Sequence, residues 1–260
     1  MQVVILCGGM GTRLKEETEF RPKPMVEIGG KPILWHIMKI YSHYGFKEFI
    51  LCLGYKGSII KEYFLNYEYM TNDFTIELGS EKSITVHNAR NNHDWKVTLA
   101  ETGLDTLTGG RIKRIEKYIE GDTFFATYGD GLADIDIREL LAFHRRSGKT
   151  ATLTGFHPIS RFGVIEVDKD YTVERFREKP RLDGLISGGF FVFNRKIFDY
   201  IDGDDSILER QPMHRLAEER QLAMYHHQGF WHSMDTYRDF LDLNRMWEEG
   251  KTPWKVWNDD

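Results

Sequence analysis

Residues 2–25, "QVVILCGGMGTRLKEETEFRPKPM", join an unbroken hydrophobic run to a glycine-rich loop and a row of cations. A continuous β-branched run is typical of a strand buried on both faces, as in parallel sheets. Glycines directly after such a strand let backbone N–H groups approach an anion closely. The stretch therefore predicts an α/β protein whose first loop binds phosphate.

The elements that follow repeat this pattern. The segment "KPILWHIMKIYSHYG" at 31–45 places its isoleucines on one helical face, and "EFILCLGY" at 48–55 is a second buried strand. Two such strands joined by a helix form a right-handed parallel unit. "TFFATYGDG" at 123–131 is a further buried strand that ends in a loop. We predict an α/β fold with a Rossmann-like, mixed, mainly parallel sheet flanked by helices.

Two other segments deviate from this regular alternation. Residues 73–101 alternate between apolar and polar side chains, which predicts a small β-rich insertion with one exposed face. Residues 195–220 are rich in charges and are predicted to be helical. Because no repeat and no linker rich in Pro, Gly or Ser interrupts the chain, we predict a single domain over residues 1–260.

Bulk composition excludes several classes of protein. The formal net charge of -5 argues against a general nucleic-acid binder, which usually has a basic surplus. No apolar stretch approaches the roughly 20 residues of a membrane span, and "MQVVILCGG" lacks the basic start of a secretory signal. Cys7 and Cys52 lie in strand-like runs where reduced core thiols are expected, so we predict a cytoplasmic protein without a membrane or nucleic-acid partner.

The cations of the first loop sharpen the phosphate hypothesis. The loop is neither a Walker A motif nor a dinucleotide fingerprint, since Leu14 stands where the latter needs its third glycine. Arg13 can clamp phosphate oxygens with its planar fork, and Lys23 supplies a point charge. Pro22 and Pro24 stiffen the backbone on either side of this lysine.

Two aspartates offer a partner for those phosphates. Asp130 lies in "YGDG" at the carboxyl end of a predicted strand, where open α/β sheets bind ligands. Asp235 lies in "GFWHSMDTYRD", just before a predicted helix. Taken singly, each is explained by a turn or a helix N-cap. Together with nucleotide phosphates they would complete a Mg²⁺ site, because that ion takes few protein oxygens plus substrate oxygens and water.

Long ordered segments resemble the sugar-1-phosphate nucleotidylyltransferases over nearly the entire chain. They include "LCGGMGTRLKEETEFRPKPM", "TYGDGLADIDI", "FREKP", "GGFFVFN" and "GFWHSMDT". Through "ETGLDTLTGGRIKRI" the likeness is strongest to the branch that uses CTP and glucose 1-phosphate. The resemblance implies the nucleotide-diphospho-sugar transferase fold and assembly into a homo-oligomer. It also implies a nucleotide-binding part near 1–135, a sugar-binding part near 136–240, and a C-terminal helix and tail at 236–260.

The activity that the resemblance implies is a direct displacement that depends on Mg²⁺. A phosphate oxygen of α-D-glucose 1-phosphate attacks the α-phosphorus of CTP, and the products are CDP-glucose and pyrophosphate. The resemblance further implies that CDP-glucose is used to synthesise a bacterial surface polysaccharide. Arg13, Lys23 and Asp130 are implied to be catalytic, and Asp130 and Asp235 to hold the metal. The residues implied to bind sugar phosphate are Glu178, Lys179, Gly188 and Gly189. Those implied to bind the nucleotide are Leu6, Gly8, Gly9, Gly11, Thr12, Arg13, Lys23, Gly103, Thr108, Gly110, Arg111 and Gly129.

Departures from the family pattern leave the substrates open. His232 and Ser233 stand where the family more often has Gln and Pro, and "LERQPMHRLAEERQ" replaces a more acidic segment. An alternative is therefore a cytidylyl-, uridylyl- or thymidylyltransferase acting on another phosphorylated acceptor. A non-catalytic nucleotide-sugar-binding regulator is the hypothesis from a different class. It predicts loss of a loop cation or a metal-site aspartate, yet all four are present.

The implied reaction needs no protein base, because the attacking phosphate is already ionised at neutral pH. We therefore predict that His36, His226 and His227 serve packing or the surface rather than catalysis. The same is predicted for the tryptophans Trp95, Trp254 and Trp257.

Overall fold

The structure is a computed structural model that describes residues 1–79, 82–87, 93–160 and 162–258. The strands are β1 (Gln2–Leu6), β2 (Glu27–Ile28), β3 (Lys31–Pro32), β4 (Glu48–Leu53), β5 (Asp73–Leu78), β6 (Lys82–His87), β7 (Lys96–Glu101), β8 (Thr123–Tyr128), β9 (Gly131–Ala133), β10 (Ala151–Phe156), β11 (Val164–Val167), β12 (Val173–Arg177), β13 (Ile186–Ser187), β14 (Phe191–Asn194), β15 (Leu222–His226) and β16 (Trp231–Ser233).

The α-helices are α1 (Lys15–Thr18), α2 (Ile33–His43), α3 (Gly57–Leu65), α4 (Tyr67–Thr71), α5 (Thr108–Arg114), α6 (Ile137–Ser147), α7 (Gln211–Glu218) and α8 (Tyr237–Glu248). Three short 3₁₀ turns cover Lys23–Met25, Glu116–Tyr118 and Arg195–Tyr200.

An eight-stranded sheet forms the centre of the fold. Its order is β15, β10, β14, β8, β1, β4, β7, and β13 pairs with the end of β10 beside β14. Strands β8, β1, β4 and β7 are parallel, whereas β14 runs antiparallel to both β8 and β10. The predicted mixed, mainly parallel sheet is confirmed. Strands from both halves of the chain contribute to the central sheet. The loop after β1 and the loops of later strands therefore lie at the same end of the sheet.

Side chains of the first strand alternate between two hydrophobic cores. Val3 and Ile5 are fully buried against helix α2 and the C-terminal Trp254, while Val4 faces a second core with Ile112 and Phe124. Successive strand residues point to opposite faces, so an unbroken apolar run is what a doubly covered strand requires.

The two segments that deviated in the sequence behave differently. Strands β5 and β6 pair as a separate exposed hairpin, whereas β7 joins the central sheet as its edge strand. The prediction that residues 195–220 are helical is wrong in the middle of this segment: a 3₁₀ turn ends at Tyr200 and α7 begins at Gln211. Gly203 within "DGDD" disfavours a helix there, and Pro212 suits only the first turn of the next one.

A short ribbon shapes the edge where the central strands end. Strands β9 and β16 pair antiparallel over three residues each, with Gly131 opposite Ser233. The N–H of Met234 also donates to the carbonyl of Asp130 at 2.9 Å. The ribbon therefore brings Asp235, more than a hundred residues along the chain, beside Asp130. Among the described residues, no helix has the length and apolar character needed to cross a bilayer.

Candidate active site

A cavity of about 540 Å³ lies at the carboxyl ends of β1 and β8. This volume falls within the range of small-molecule sites. Its lining includes most of the residues predicted to bind the nucleotide, namely Leu6, Gly8, Gly9, Gly11, Thr12, Arg13, Lys23, Thr108, Arg111 and Gly129, together with Asp130. Gly103 and Gly110 are absent from the lining of this cavity as the described residues form it.

Four charged side chains meet at one end of the cavity: Arg13, Lys23 and Asp130 belong to its lining, and Asp235, which does not, is joined to the two cations by ion pairs. The Nζ atom of Lys23 lies 2.5 Å from Oδ2 of Asp130 and 2.7 Å from Oδ1 of Asp235. The Nη2 atom of Arg13 lies 2.9 Å from the same Oδ1 of Asp235. The lysine side chain is only 12% exposed, whereas the arginine is 70% exposed. Two cations and two carboxylates therefore share one small volume.

Each member of this charge cluster is held by a different element. Lys23 begins a 3₁₀ turn between Pro22 and Pro24, so its backbone is stiff. Asp130 directly follows β8, and Asp235 directly precedes α8. Helix α8 starts with a capping box between Thr236 and Asp239, and the carboxylate of Asp239 also accepts from the N–H of Asp235 at 3.1 Å. Thr236, rather than Asp235, is thus the cap, which leaves the Asp235 carboxylate available for the cavity.

Mutual attraction favours the charged forms of Asp235 and Lys23. Burial opposes the charge of Asp235, but the hydrogen bond and charge of Lys23, then Arg13, keep the pKa of this carboxyl below its usual value. Burial likewise disfavours the ammonium of Lys23, yet Asp130 and then Asp235 raise its pKa above the usual value. Because its pKa is lower in the folded state, Asp235 adds to the free energy of unfolding at pH values above its unfolded pKa of about 3.9. This stabilisation disappears as the pH falls through the pKa that Asp235 has in the folded protein. Because its pKa is higher in the folded state, Lys23 adds to the free energy of unfolding at pH values below its unfolded pKa of about 10.4. This stabilisation disappears as the pH rises through the pKa of Lys23 in the folded protein, so both residues stabilise the fold near neutral pH.

The two carboxylates also fit a divalent cation. Oxygens of Asp130 and Asp235 converge on one positive charge, the ammonium of Lys23, and such hard oxygen donors are what Mg²⁺ prefers. Over the described ranges, no group of three or more His, Cys, Asp or Glu side chains is placed to hold a metal. An ion here would therefore take its remaining oxygens from substrate and water.

Arg111 lies beneath the glycine loop and is bonded to the backbone. Its guanidinium donates to the carbonyls of Gly8, Leu53, Gly103 and Leu104 and to the hydroxyl of Thr102, at 2.7 to 3.1 Å. The side chain is buried, and burial lowers its pKa. Arg111 thus ties three loops together and places a fixed positive charge under the cavity. Its predicted contact with the nucleotide stays a prediction.

The fit between the loop and Arg111 leads to a stability prediction. A Cβ atom on Gly8 would lie 2.1 Å from Nη1 of Arg111, whereas one on Gly9 would meet nothing within 4 Å. We expect Gly8→Ala to lower the free energy of unfolding by about 2 kcal/mol, since overpacking typically costs 1–3 kcal/mol. Gly9→Ala serves as the matched control and should stay within about 0.5 kcal/mol of the wild type in urea unfolding. Equal stability of the two variants would contradict the assigned packing.

A carboxylate that the sequence did not predict, Glu209, contacts two residues of the cavity lining. Glu209 accepts hydrogen bonds from the hydroxyl groups of Tyr128, at 2.5 Å, and Thr108, at 2.7 Å. Burial, and then the charge of Glu209, raise the pKa of Tyr128. Gly110, by contrast, packs against the backbone of Asp204, where a Cβ would come within 2.5 Å of its carbonyl oxygen. Nothing in the local sequence around Glu209 signals these long-range bonds.

The residues predicted to bind sugar phosphate fall into two pairs. Gly188 and Gly189 lie just before β14 and are not among the described residues that line the cavity: the carbonyl of Gly188 accepts from Nε1 of Trp231, on the β9–β16 ribbon, at 3.0 Å. Gly189 has a positive φ of 83°, and a Cβ there would lie 2.8 Å from the ring of Tyr128. Glu178 and Lys179 follow β12 on an exposed hairpin and are not among the residues that line the cavity. The sugar-phosphate roles of all four stay predictions.

The unusual serine beside the predicted metal ligand has a direct contact. The hydroxyl of Ser233 donates to Oδ2 of Asp235 at 3.1 Å, while Nδ1 of His232 lies 2.9 Å from the carbonyl oxygen of Ser233. The oxygen that Lys23 leaves free is thus engaged by Ser233. A proline at this position could not make that bond.

Known proteins resemble this chain in sequence and in fold. The sequence model of the family described as "Nucleotidyl transferase" matches residues 2–250. The chain is 51% identical over 259 residues to the glucose-1-phosphate cytidylyltransferase of Salmonella typhi, covering 99% of this chain and 100% of the relative. It is 49% identical over 258 residues to the "probable glucose-1-phosphate cytidylyltransferase" of Bacillus subtilis (strain 168), covering 99% and 100%. The crystal structure of HddC from Yersinia pseudotuberculosis complexed with GMP-PN shares the fold, with a TM-score of 0.69 at 24% identity over 95% of this chain and 99% of that one.

Proposed function

We propose that this chain, which belongs to the nucleotidyl transferase family, transfers the cytidylyl group of CTP to α-D-glucose 1-phosphate. The products are CDP-glucose and pyrophosphate, and CDP-glucose would serve the synthesis of a bacterial surface polysaccharide. The observation that carries the reaction type is the cluster of Arg13, Lys23, Asp130 and Asp235 at one end of a cavity of about 540 Å³. The choice of CTP and glucose 1-phosphate is supported by relatives near 50% identity over their full length.

The reaction requires positioning and charge neutralisation rather than a protein nucleophile. A phosphate oxygen of glucose 1-phosphate forms a bond to the α-phosphorus of CTP, and the bond from that phosphorus to the bridging oxygen of the β-phosphate breaks. Pyrophosphate leaves with the electron pair of the broken bond. Arg13 is exposed at the cavity rim and would pair with the leaving pyrophosphate, since its planar fork matches phosphate oxygens.

Lys23 has two roles in this account. With no ligand bound, its ammonium neutralises Asp130 and Asp235 at 2.5 and 2.7 Å. With CTP in the cavity, the ammonium would turn from these carboxylates to the α-phosphate and the incoming phosphate, where negative charge accumulates in the transition state. Asp130 and Asp235 would then hold Mg²⁺, which supplies charge neutralisation on the triphosphate and the leaving group.

We also propose where the protein acts and how it assembles. Cys7 and Cys52 are both buried and unpaired, which suits the reducing cytoplasm, where we place the reaction. We expect a homo-oligomer without nucleic-acid or membrane partners. This expectation fits the exposed apolar side chains of the two peripheral hairpins, such as Phe74, Leu78, Ile165 and Phe176.

A matrix of substrates tests the proposal. Five nucleoside triphosphates, CTP, UTP, dTTP, GTP and ATP, are each combined with glucose, galactose and mannose 1-phosphates and Mg²⁺, and pyrophosphate release is followed. We expect CTP with glucose 1-phosphate to give the highest kcat/KM. Another best pair would overturn the assigned substrates but keep the reaction type, and no turnover with any pair would overturn both.

A further inference from the structure

The far end of the β9–β16 ribbon is closed by a side-chain contact that the reaction itself does not use. One residue beyond β9, Oδ1 of Asp134 accepts from Nε2 of His227 at 2.7 Å and from the N–H of Phe230 at 2.7 Å. A carboxylate only accepts, so the His227 nitrogen carries the hydrogen. The N–H of Asp134 in turn donates to the carbonyl of Phe230. We call Asp134, His227 and the turn 227–230 between them the ribbon clasp.

The clasp leaves little space for other arrangements. A Cβ on Gly229 would lie 2.3 Å from Oδ1 of Asp134 and 2.7 Å from Nε2 of His227, so the turn is wrapped closely around both side chains. The backbone N–H of His227 donates to the carbonyl of Gly155 at 3.0 Å, which fixes the turn to the central sheet. The His227 side chain is only 11% exposed. These contacts therefore fix the position of the turn before β16 relative to the end of β9.

The same histidine is connected to the predicted sugar side of the site. Its ring packs edge-on against Phe156 with centroids 5.2 Å apart, and Phe156 packs against Trp231 at 5.3 Å. Nε1 of Trp231 donates to the carbonyl of Gly188 at 3.0 Å. The clasp, the ribbon and Gly188 thus form one continuous set of contacts.

The ribbon needs such support because it is short. It has three residue pairs, and an isolated two-stranded ribbon is at best marginally stable. A slip of one residue would turn every side chain to the opposite face. Asp130 precedes β9 and Asp235 lies two residues after β16, so the separation of the two carboxylates depends directly on this register.

We propose that Asp134 and His227 are positioning residues that set the register of the ribbon, and through it the distance between Asp130 and Asp235. This inference rests on the proposed function, because it assigns the clasp an effect on the binding of Mg²⁺ with CTP. The sequence predicted that His227 serves only packing or the surface; the inference gives it a more specific role, that of positioning the ribbon. Residues that hold metal ligands in place typically affect metal affinity or activity by about 10–100-fold.

The test uses three variants and one matched control. His227→Leu removes the donor, Asp134→Ala removes the acceptor, and His227→Gln keeps a donor nitrogen at similar reach. The control is His226→Leu, the same change one residue away. The His226 ring is exposed, and the one aromatic ring that it contacts within the described part of the chain is that of His157. Two quantities are measured: the Mg²⁺ concentration for half-maximal activity, and the gain in CTP affinity that Mg²⁺ produces, by calorimetry without glucose 1-phosphate.

For His227→Leu and Asp134→Ala we expect the half-maximal Mg²⁺ concentration to rise by about tenfold or more, and the Mg²⁺-dependent gain in CTP affinity to shrink by a similar factor. His227→Gln should recover most of both quantities, and His226→Leu should match the wild type. Unchanged Mg²⁺ dependence in variants that fold normally would overturn the clasp proposal. If instead wild type shows no Mg²⁺-dependent CTP binding or turnover, the proposed function fails, and this outcome is distinct from a failure of the clasp.

Discussion

Replacing Lys23 by methionine is expected to lower kcat/KM by about a thousandfold, the cost of losing one preorganised charge at a transition state. Methionine keeps most of the buried stem and removes only the ammonium. Because that ammonium lies between Asp130 and Asp235, it competes with any metal ion for their oxygens. The same variant should therefore bind Mg²⁺ more tightly than the wild type when no nucleotide is present.

This combination of effects separates a specific role from general damage. A misfolded variant would lose both activity and metal binding, whereas Lys23→Met should lose the first and gain in the second. Lys15→Met is the matched control, because Lys15 is an exposed cation of helix α1, between β1 and Lys23, and the activity of this variant should stay within about twofold of the wild type. Activity of Lys23→Met within tenfold of the wild type would show that Lys23 does not stabilise the transition state.

Replacing either metal-site aspartate by asparagine is expected to reduce Mg²⁺-dependent turnover by about a thousandfold or more. The change keeps the volume and removes the negative charge, and metal stabilisation of developing charge is worth several kcal/mol. In both variants Lys23 keeps its other carboxylate, so the fold should remain intact by circular dichroism. The readout is pyrophosphate release at several Mg²⁺ concentrations.

Asp242→Asn is the control for this pair. Asp242 lies on α8 and pairs only with Arg238 and Arg245 among the ion pairs of the described residues, away from the cavity lining. Its loss should leave turnover unchanged. Wild-type turnover in Asp130→Asn or Asp235→Asn would remove that aspartate from the proposed metal site.

Local patterns in the sequence predict the fold well. Unbroken apolar runs predict strands buried on both faces, and the central sheet confirms them, because its first strand alternates between two cores. The failure of the helical prediction within 195–220 has a local cause as well, because Gly203 and Pro212 lie between the 3₁₀ turn and the body of α7. The family resemblance is confirmed by the match over residues 2–250.

The site is predicted less completely, because its contacts join distant parts of the chain. The position of Asp130 follows from a general rule about strand ends. Residue patterns alone left Asp235 open between a helix cap and a metal ligand; the ribbon and the capping role of Thr236 are visible only in three dimensions. The bonds of Arg111 to three loops and of Glu209 to two hydroxyls likewise depend on long-range packing, which no local motif encodes.

The proposed reaction transfers the cytidylyl group of CTP, with its α-phosphate, to glucose 1-phosphate. Its most direct test uses CTP labelled with ³²P at the α-phosphate, incubated with the purified protein, glucose 1-phosphate and Mg²⁺, with the products separated by ion-exchange chromatography. The label should appear in CDP-glucose, with one unlabelled pyrophosphate released per transfer, and no transfer should occur without the sugar phosphate. Label that stays in CTP, or is released as CMP, while the folded protein binds CTP would contradict it.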